Sequence, residues 1–175
     1  MTIRTSLIPF CCAALLAACG PRSETPTGTP ILGSPPSIFN NPGDSFFPNP
    51  SPTIEGVAGQ PDEVVFAIPY TIRAFDRDAN LRWIEIDATY NNGCLGEVTV
   101  RFTEDVPLAA RSVQEASISG PTVDKLRISV NCYPADNLFL MRARVRDFTG
   151  LLSINSVTAG LTIGVGQGSG GGSGN

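Results

Sequence analysis

The chain has 175 residues and a formal net charge of −4, from 12 Lys and Arg against 16 Asp and Glu. That acidic balance, with no long basic run, argues against nucleic-acid binding. Histidine is absent, which removes a Ser-His-Asp triad, a Cys-His pair and histidine-ligated zinc from this chain alone.

Met1 to Arg4 carry one positive charge, and an apolar stretch follows from Leu7 to Ala18, broken by Pro9. Twelve residues at helical rise span about 18 Å, short of the roughly 30 Å hydrocarbon core of a bilayer. Residues 1–18 therefore read as a signal peptide rather than a transmembrane helix. The closing tetrad, Leu16-Ala17-Ala18-Cys19, resembles the lipobox of bacterial lipoprotein precursors. Small residues stand directly before Cys19, whereas bulky Phe10 precedes Cys11. Cys19 is thus the better modification site, and Cys11 and Cys12 leave with the signal peptide. The plainer alternative is an ordinary secretory signal cut at a small-residue site. The resemblance implies that Cys19 becomes the mature N-terminus and carries diacylglyceryl and N-acyl chains such as palmitate. At about 0.8 kcal/mol per buried CH₂, several chains hold a protein durably to membrane lipid. It also implies a place in the bacterial cell envelope, and Gly20 rather than Asp after the cysteine favours the outer membrane.

From Gly20 to Pro52, nine of 33 residues are proline and most others are Ser, Thr, Asn or Gly. Such a stretch makes neither helix nor central strand, so residues 19–52 are expected to be a lipidated tether reaching about 100 Å at polyproline rise. Phe39, Phe46 and Phe47 are its exceptions, either a docking patch or incidental aromatics.

Between residues 53 and 165 the pattern is strand after strand. Apolar residues alternate at Tyr70, Ile72 and Ala74, at Ile84, Ile86 and Ala88, and at Val98, Val100 and Phe102. They do so again at Leu126, Ile128 and Val130, at Phe139, Met141, Ala143 and Val145, and at Val157, Ala159, Leu161 and Ile163. Period-two runs split by Gly, Pro, Asn and Asp predict an all-β antiparallel protein with one face of each sheet buried. Weak runs at 53–58 and 63–66 supply a first, split strand, and Val106 to Glu115 forms a turn of helix or a crossover. About seven strands in about 110 residues fit a β-sandwich. Residues 166–175 are Gly- and Ser-rich and read as a disordered tail. With three cysteines accounted for upstream, Cys94 and Cys132 remain, either as two free thiols or, in an exported protein, as a disulfide.

Ile72-Arg73-Ala74-Phe75-Asp76-Arg77-Asp78, followed by Leu81 and Ile84-Glu85-Ile86, is similar to the second and third strands of bacterial immunoglobulin-like domains. Ala143-Arg144-Val145-Arg146-Asp147-Phe148-Thr149-Gly150 resembles their penultimate strand, entering a Gly-containing turn. Cadherin-like and polycystic-kidney-disease-type domains share these segments. The antibody pattern of Cys, core Trp and Cys is absent, and Trp83 falls out of phase with Ile84 and Ile86, so it is expected to face outward.

Three constellations carry functional readings. Asp76-Arg77-Asp78-Ala79-Asn80 opens like a calcium loop, and Asp76 and Asp78 resemble the cadherin aspartate pair. The alternative is a strand-ending turn whose carboxylates accept local backbone donors. Arg142, Arg144 and Arg146 project from one strand face, expected beside Trp83, Glu85 and Asp87. They form either cross-strand ion pairs or, with the tryptophan, a recognition face. Glu85 and Asp87 stand about 6–7 Å apart along a strand, a spacing glycosidase carboxylates use, but on an open sheet rather than in a cleft. The expectation is a non-catalytic binding or structural module held at the envelope and meeting an envelope protein or polysaccharide. A calcium-stabilised adhesion module comes second, and a small carboxylate-dependent hydrolase third.

Overall fold

The computed structural model describes residues 33–56 and 58–165. The residues on which the signal-peptide, Cys19, first-tether and tail readings fall lie outside them. The described chain is an antiparallel β-sandwich. Its elements are β1 (Ser37–Ile38), β2 (Thr53–Glu55), β3 (Glu63–Phe66), β4 (Pro69–Phe75), β5 (Leu81–Asn92), β6 (Gly96–Asp105), a one-turn α1 (Leu108–Arg111), β7 (Glu115–Pro121), β8 (Leu126–Ser129), β9 (Leu138–Asp147) and β10 (Val157–Thr162). A 3₁₀ turn at Val130–Cys132 follows β8.

One side of the sandwich is a four-stranded sheet in the order β10-β9-β5-β6. The other side is two consecutive three-stranded pieces, β1-β4-β7 and β2-β3-β8. They read as one bent sheet, because Phe66 pairs with Leu126 and, just beyond, Pro69 pairs with Pro121. Thr122 locks the bend. Its amide donates to the Ile68 carbonyl at 3.0 Å while its hydroxyl accepts the Ile68 N–H at 3.0 Å. Counting the split strands once leaves seven, with β3–β4 and β7–β8 facing the four-stranded sheet, an immunoglobulin-like arrangement.

The alternation read from the sequence is the core. Ile72, Ala74, Ile84, Ile86, Ala88, Met141, Ala143, Val145 and Leu161 are all buried. Phe139 lies at its centre, with ring centroids 5.1 Å from Tyr90, 5.6 Å from Phe66 and 5.7 Å from Tyr133. Val130 departs from its predicted strand: the chain turns into the 3₁₀ element there, and its side chain is exposed. The segment Val106 to Glu115 does form a turn of helix, but β7 begins at its end.

The folded unit starts earlier than residue 53. Ile38 and Phe47 are buried, Phe46 and Thr71 exchange backbone hydrogen bonds, and the Asn155 side chain bonds both backbone groups of Ile38 at 2.7 Å. Residues 33–52 are therefore part of the sandwich, not tether. Proline bars a central strand but not an edge held by a few backbone bonds and side-chain caps. Of the three tether aromatics, Phe47 enters the core, the Phe39 ring lies 4.8 Å from the Arg73 guanidinium, and Phe46 is exposed beside its bridge.

Cys94 and Cys132 form the expected disulfide, with Cα atoms 5.0 Å apart. It ties the β5–β6 hairpin to the 3₁₀ turn, where the Gly93 N–H also donates to the Cys132 carbonyl at 2.9 Å.

Candidate functional site

The outer face of the four-stranded sheet carries most of the sequence-predicted site residues. The β5 residues Ile84, Ile86 and Ala88 point into the core, so Trp83, Glu85 and Asp87 point out. Register sets Trp83 opposite Arg146, Glu85 opposite Arg144 and Asp87 opposite Arg142 on β9. On the other side β6 brings Asp105 opposite Trp83 and Arg101 opposite Asp87. The twist of the sheet shifts the contacts diagonally. Arg146 holds Glu85 through Nε at 2.8 Å and Nη2 at 2.7 Å. Arg144 Nη2 bridges Glu85 at 3.3 Å and Asp87 at 3.4 Å. Arg101 holds Asp87 with Nε at 2.6 Å and Nη2 at 3.2 Å. The result is an alternating chain, Arg146–Glu85–Arg144–Asp87–Arg101.

Glu85 and Asp87 are only 8% exposed, although they lie on an outer face. The arginine stems lie over them, as long cationic side chains do when the head remains wet. The hydrogen bond to Asp87, and then its charge, hold the Arg101 guanidinium above its ordinary pKa. On this face the four arginines 101, 142, 144 and 146 are matched in number by four carboxylates, Glu85 and Asp87 within the chain of ion pairs and Glu97 and Asp105 on the β6 strand. Arg142 is exposed and makes no ion pair among the described residues. Arg144 Nε is buried and has no hydrogen-bond partner among the described residues.

Trp83 is half-buried at one end of this strip. A register irregularity between Leu81 and Trp83 turns Arg82 beside it, with the guanidinium carbon 5.2 Å from the Trp83 ring and 4.9 Å from the Phe148 ring. Beyond Arg142 the same β9 face continues with Leu140 and Leu138, each about half exposed. Thr158, Gly160 and Thr162 of β10 flank them.

Asp76 and Asp78 take the turn role. Asp76 is fully buried and caps its own loop: Oδ1 accepts the Asp78 N–H at 3.2 Å and Oδ2 the Asn80 N–H at 2.8 Å. Asp78 Oδ2 accepts the Ser34 N–H at 2.6 Å. Asp147, also fully buried, caps the next loop by accepting the Leu151 N–H at 2.8 Å and the Thr149 hydroxyl. Among the described residues no group of three or more His, Cys, Asp and Glu side chains is placed to hold a metal ion.

Two features escaped the sequence reading. Glu104 of β6 turns inward after Val98, Val100 and Phe102, and its Oε1 accepts the Val123 N–H at 3.0 Å. Burial pushes its carboxyl above the usual range, against that hydrogen bond, and nearby Asp124 and Asp105 push it further. The period-two pattern of β6 was the signal that could have placed it. The second is a pocket of about 340 Å³ at the disulfide end, lined by Ile54, Val64, Val130, Tyr133, Asn137, Gly164 and Val165. The Tyr133 hydroxyl donates to the Ile163 carbonyl at 2.7 Å, and burial pushes its pKa up to about 12. No sequence pattern announced it, because its walls come from segments far apart in the chain.

Among the described residues no helix is long and apolar enough to cross a membrane. No protein-family model, curated protein or solved structure matches this chain.

Proposed function

We propose that this chain is a lipid-anchored envelope lipoprotein presenting a non-catalytic binding module, with the outer face of the β10-β9-β5-β6 sheet as its contact surface. The anchor reading rests on Leu16-Ala17-Ala18-Cys19 and on the export it implies, with which the Cys94–Cys132 disulfide agrees. The observation that carries the binding reading is Arg142, exposed and without an ion pair among the described residues, next to half-exposed Leu140 on the sheet face that also carries Trp83. An exposed guanidinium beside an apolar side chain suits a partner that brings an anionic group to Arg142. The envelope supplies two kinds, an acidic protein surface or an anionic polysaccharide. Both carboxylates of the strip are held by guanidinium groups on an open face, which argues against general acid–base work by Glu85 and Asp87.

The test is capture from native envelope extract by the purified chain, compared with Arg142→Glu and Trp83→Ala. Retention of one component that is lost in Arg142→Glu and weakens steeply between low and high salt supports the face. Purified anionic polysaccharide run in parallel separates the two partner classes. Equal retention by all three proteins sinks the assignment, since melting curves report whether either variant is still folded.

A further inference from the structure

Every sheet edge of the sandwich but one carries a device against strand addition. β1 and β2 are two and three residues long and lie in proline-rich chain. The β7–β8 edge carries Glu115, Pro121, Lys125 and Arg127. β6 carries Glu97, Arg101, Glu104 and Asp105. Short strands, charge and proline are the features that stop an edge from templating another strand. β10 has none of them. Its six residues, Val157-Thr158-Ala159-Gly160-Leu161-Thr162, are uncharged, and among the described residues they pair only with β9.

Two further features sit at the ends of this edge. The pocket lies just past its C-terminal end, where Gly164 and Val165 form one wall, Ile54 of the opposite sheet forms another and Asn137 adds a polar side. Ile154, 73% exposed, stands three residues before its N-terminal end. A two-fold axis at Ala159 of an antiparallel β10–β10 pair sets residue 154 of one copy level with residue 164 of the other. The knob and the hole are thus placed symmetrically about the middle of the strand.

We propose that a second copy of this chain occupies the β10 edge. The two β10 strands pair antiparallel and join the four-stranded sheets, and Ile154 of each copy docks at the pocket of the other. The contact is isologous, with each copy giving and receiving the same groups. Every cross-strand pair in it is uncharged, so no like charges oppose one another. Residues 166–175 are Gly, Gln, Ser and Asn and offer no apolar side chain to fill the pocket. A six-residue edge and two isoleucines bury less than the roughly 1,200 Å² of a tight complex, so the association is weak, with Kd on the order of 10–100 µM.

Sedimentation equilibrium of the purified full chain from about 1 to about 200 µM, with hydrogen exchange followed at residues 157–162, tests this. The expected result is a monomer–dimer equilibrium in which the β10 amides gain protection as dimer forms. Ile154→Asp weakens the dimer by about tenfold or more. Leu108→Asp, at a residue 78% exposed away from the edge, leaves it unchanged. Both sites are on the surface, and matching melting curves verify the fold. A chain that stays monomeric throughout overturns the proposal, and so does a dimer indifferent to Ile154→Asp. A monomer whose β10 instead accepts an uncharged extended peptide also overturns it, because the occupant is then a different partner.

Discussion

Removing the disulfide by Cys94→Ala with Cys132→Ala acts chiefly on the unfolded chain. The native loops have their own restraints: the Gly93 N–H donates to the Cys132 carbonyl, and Asn92 Oδ1 accepts the Cys94 N–H at 2.9 Å and the Leu95 N–H at 3.1 Å. The cross-link spans 38 positions, for which loop-closure entropy gives about 4 kcal/mol at 25 °C. Unfolding about 130 ordered residues at roughly 2.1 cal/mol/K each carries about 0.27 kcal/mol/K of entropy, so that loss lowers Tm by about 15 °C. Urea melts of the oxidised protein and the double variant, read by far-UV circular dichroism and tryptophan fluorescence, measure it directly. The variant is expected to lose about 3–4 kcal/mol and to show a larger m value, because its unfolded chain exposes more surface. A loss under about 1 kcal/mol with unchanged m refutes the reasoning. It would mean that the reduced unfolded chain keeps these two loops together by itself.

Two other outcomes follow from buried carboxylates. Glu104 has a folded-state pKa raised chiefly by burial, so the folded chain holds its proton at pH values where the unfolded chain has lost it. The stability it contributes is fully present below the unfolded glutamate value of about 4.3 and is lost as pH rises through the raised value. Glu104→Gln, which keeps an acceptor for the Val123 N–H, is expected to stabilise the protein at pH 7, with the gain shrinking towards pH 4. Chemical melts across that range show it, and a gain that does not vary with pH counts against the assignment. Asp76→Ala removes the acceptor of the Asp78 and Asn80 N–H groups in a loop whose residues 77–80 are exposed or half-buried, so water takes up part of the loss and the expected cost is about 1 kcal/mol. Millimolar calcium or chelator is expected to leave the melting temperature of both proteins unmoved. A rise with calcium in the parent that is absent from Asp76→Ala would restore the cation reading over the capping one.

The sequence showed most clearly those strands whose residues face a core on one side and water on the other. Ile84, Ile86 and Ala88, or Met141, Ala143 and Val145, leave no second reading, because a slip of one residue would expose the whole set. β7 was hidden because only Ala116 and Ile118 face inward, and the intervening Ser117, Ser119 and Gly120 have weak strand preference. The folded part of residues 33–52 was hidden because its stability comes from long-range partners, Asn155, Arg73 and Thr71, which composition does not express. The arginine face was legible as a face and not as a network. Arg144 and Arg146 bind carboxylates while Arg142 has no ion pair among the described residues, a division set by cross-strand register and twist. Arg101 went unnoticed because its place beside Asp87 depends on the length of the Gly93–Leu95 turn.

The extent of the folded unit also changes what an anchor at Cys19 can do. A Cβ on Gly33 would lie 3.1 Å from Asp78 Oδ2 and 3.5 Å from Asp147 Oδ2, so the chain joins the sandwich at the end carrying the 76–80 and 148–156 loops. β5 runs away from that end to the disulfide hairpin, and β10 runs the same way to the pocket. With lipid on Cys19, the tether has only the residues up to Gly33, at most about 45 Å at polyproline rise, rather than the 100 Å that composition suggested. The ten residues of β9 add about 33 Å. With that anchor, these two lengths together bound the distance of the arginine strip from the lipid at about 80 Å.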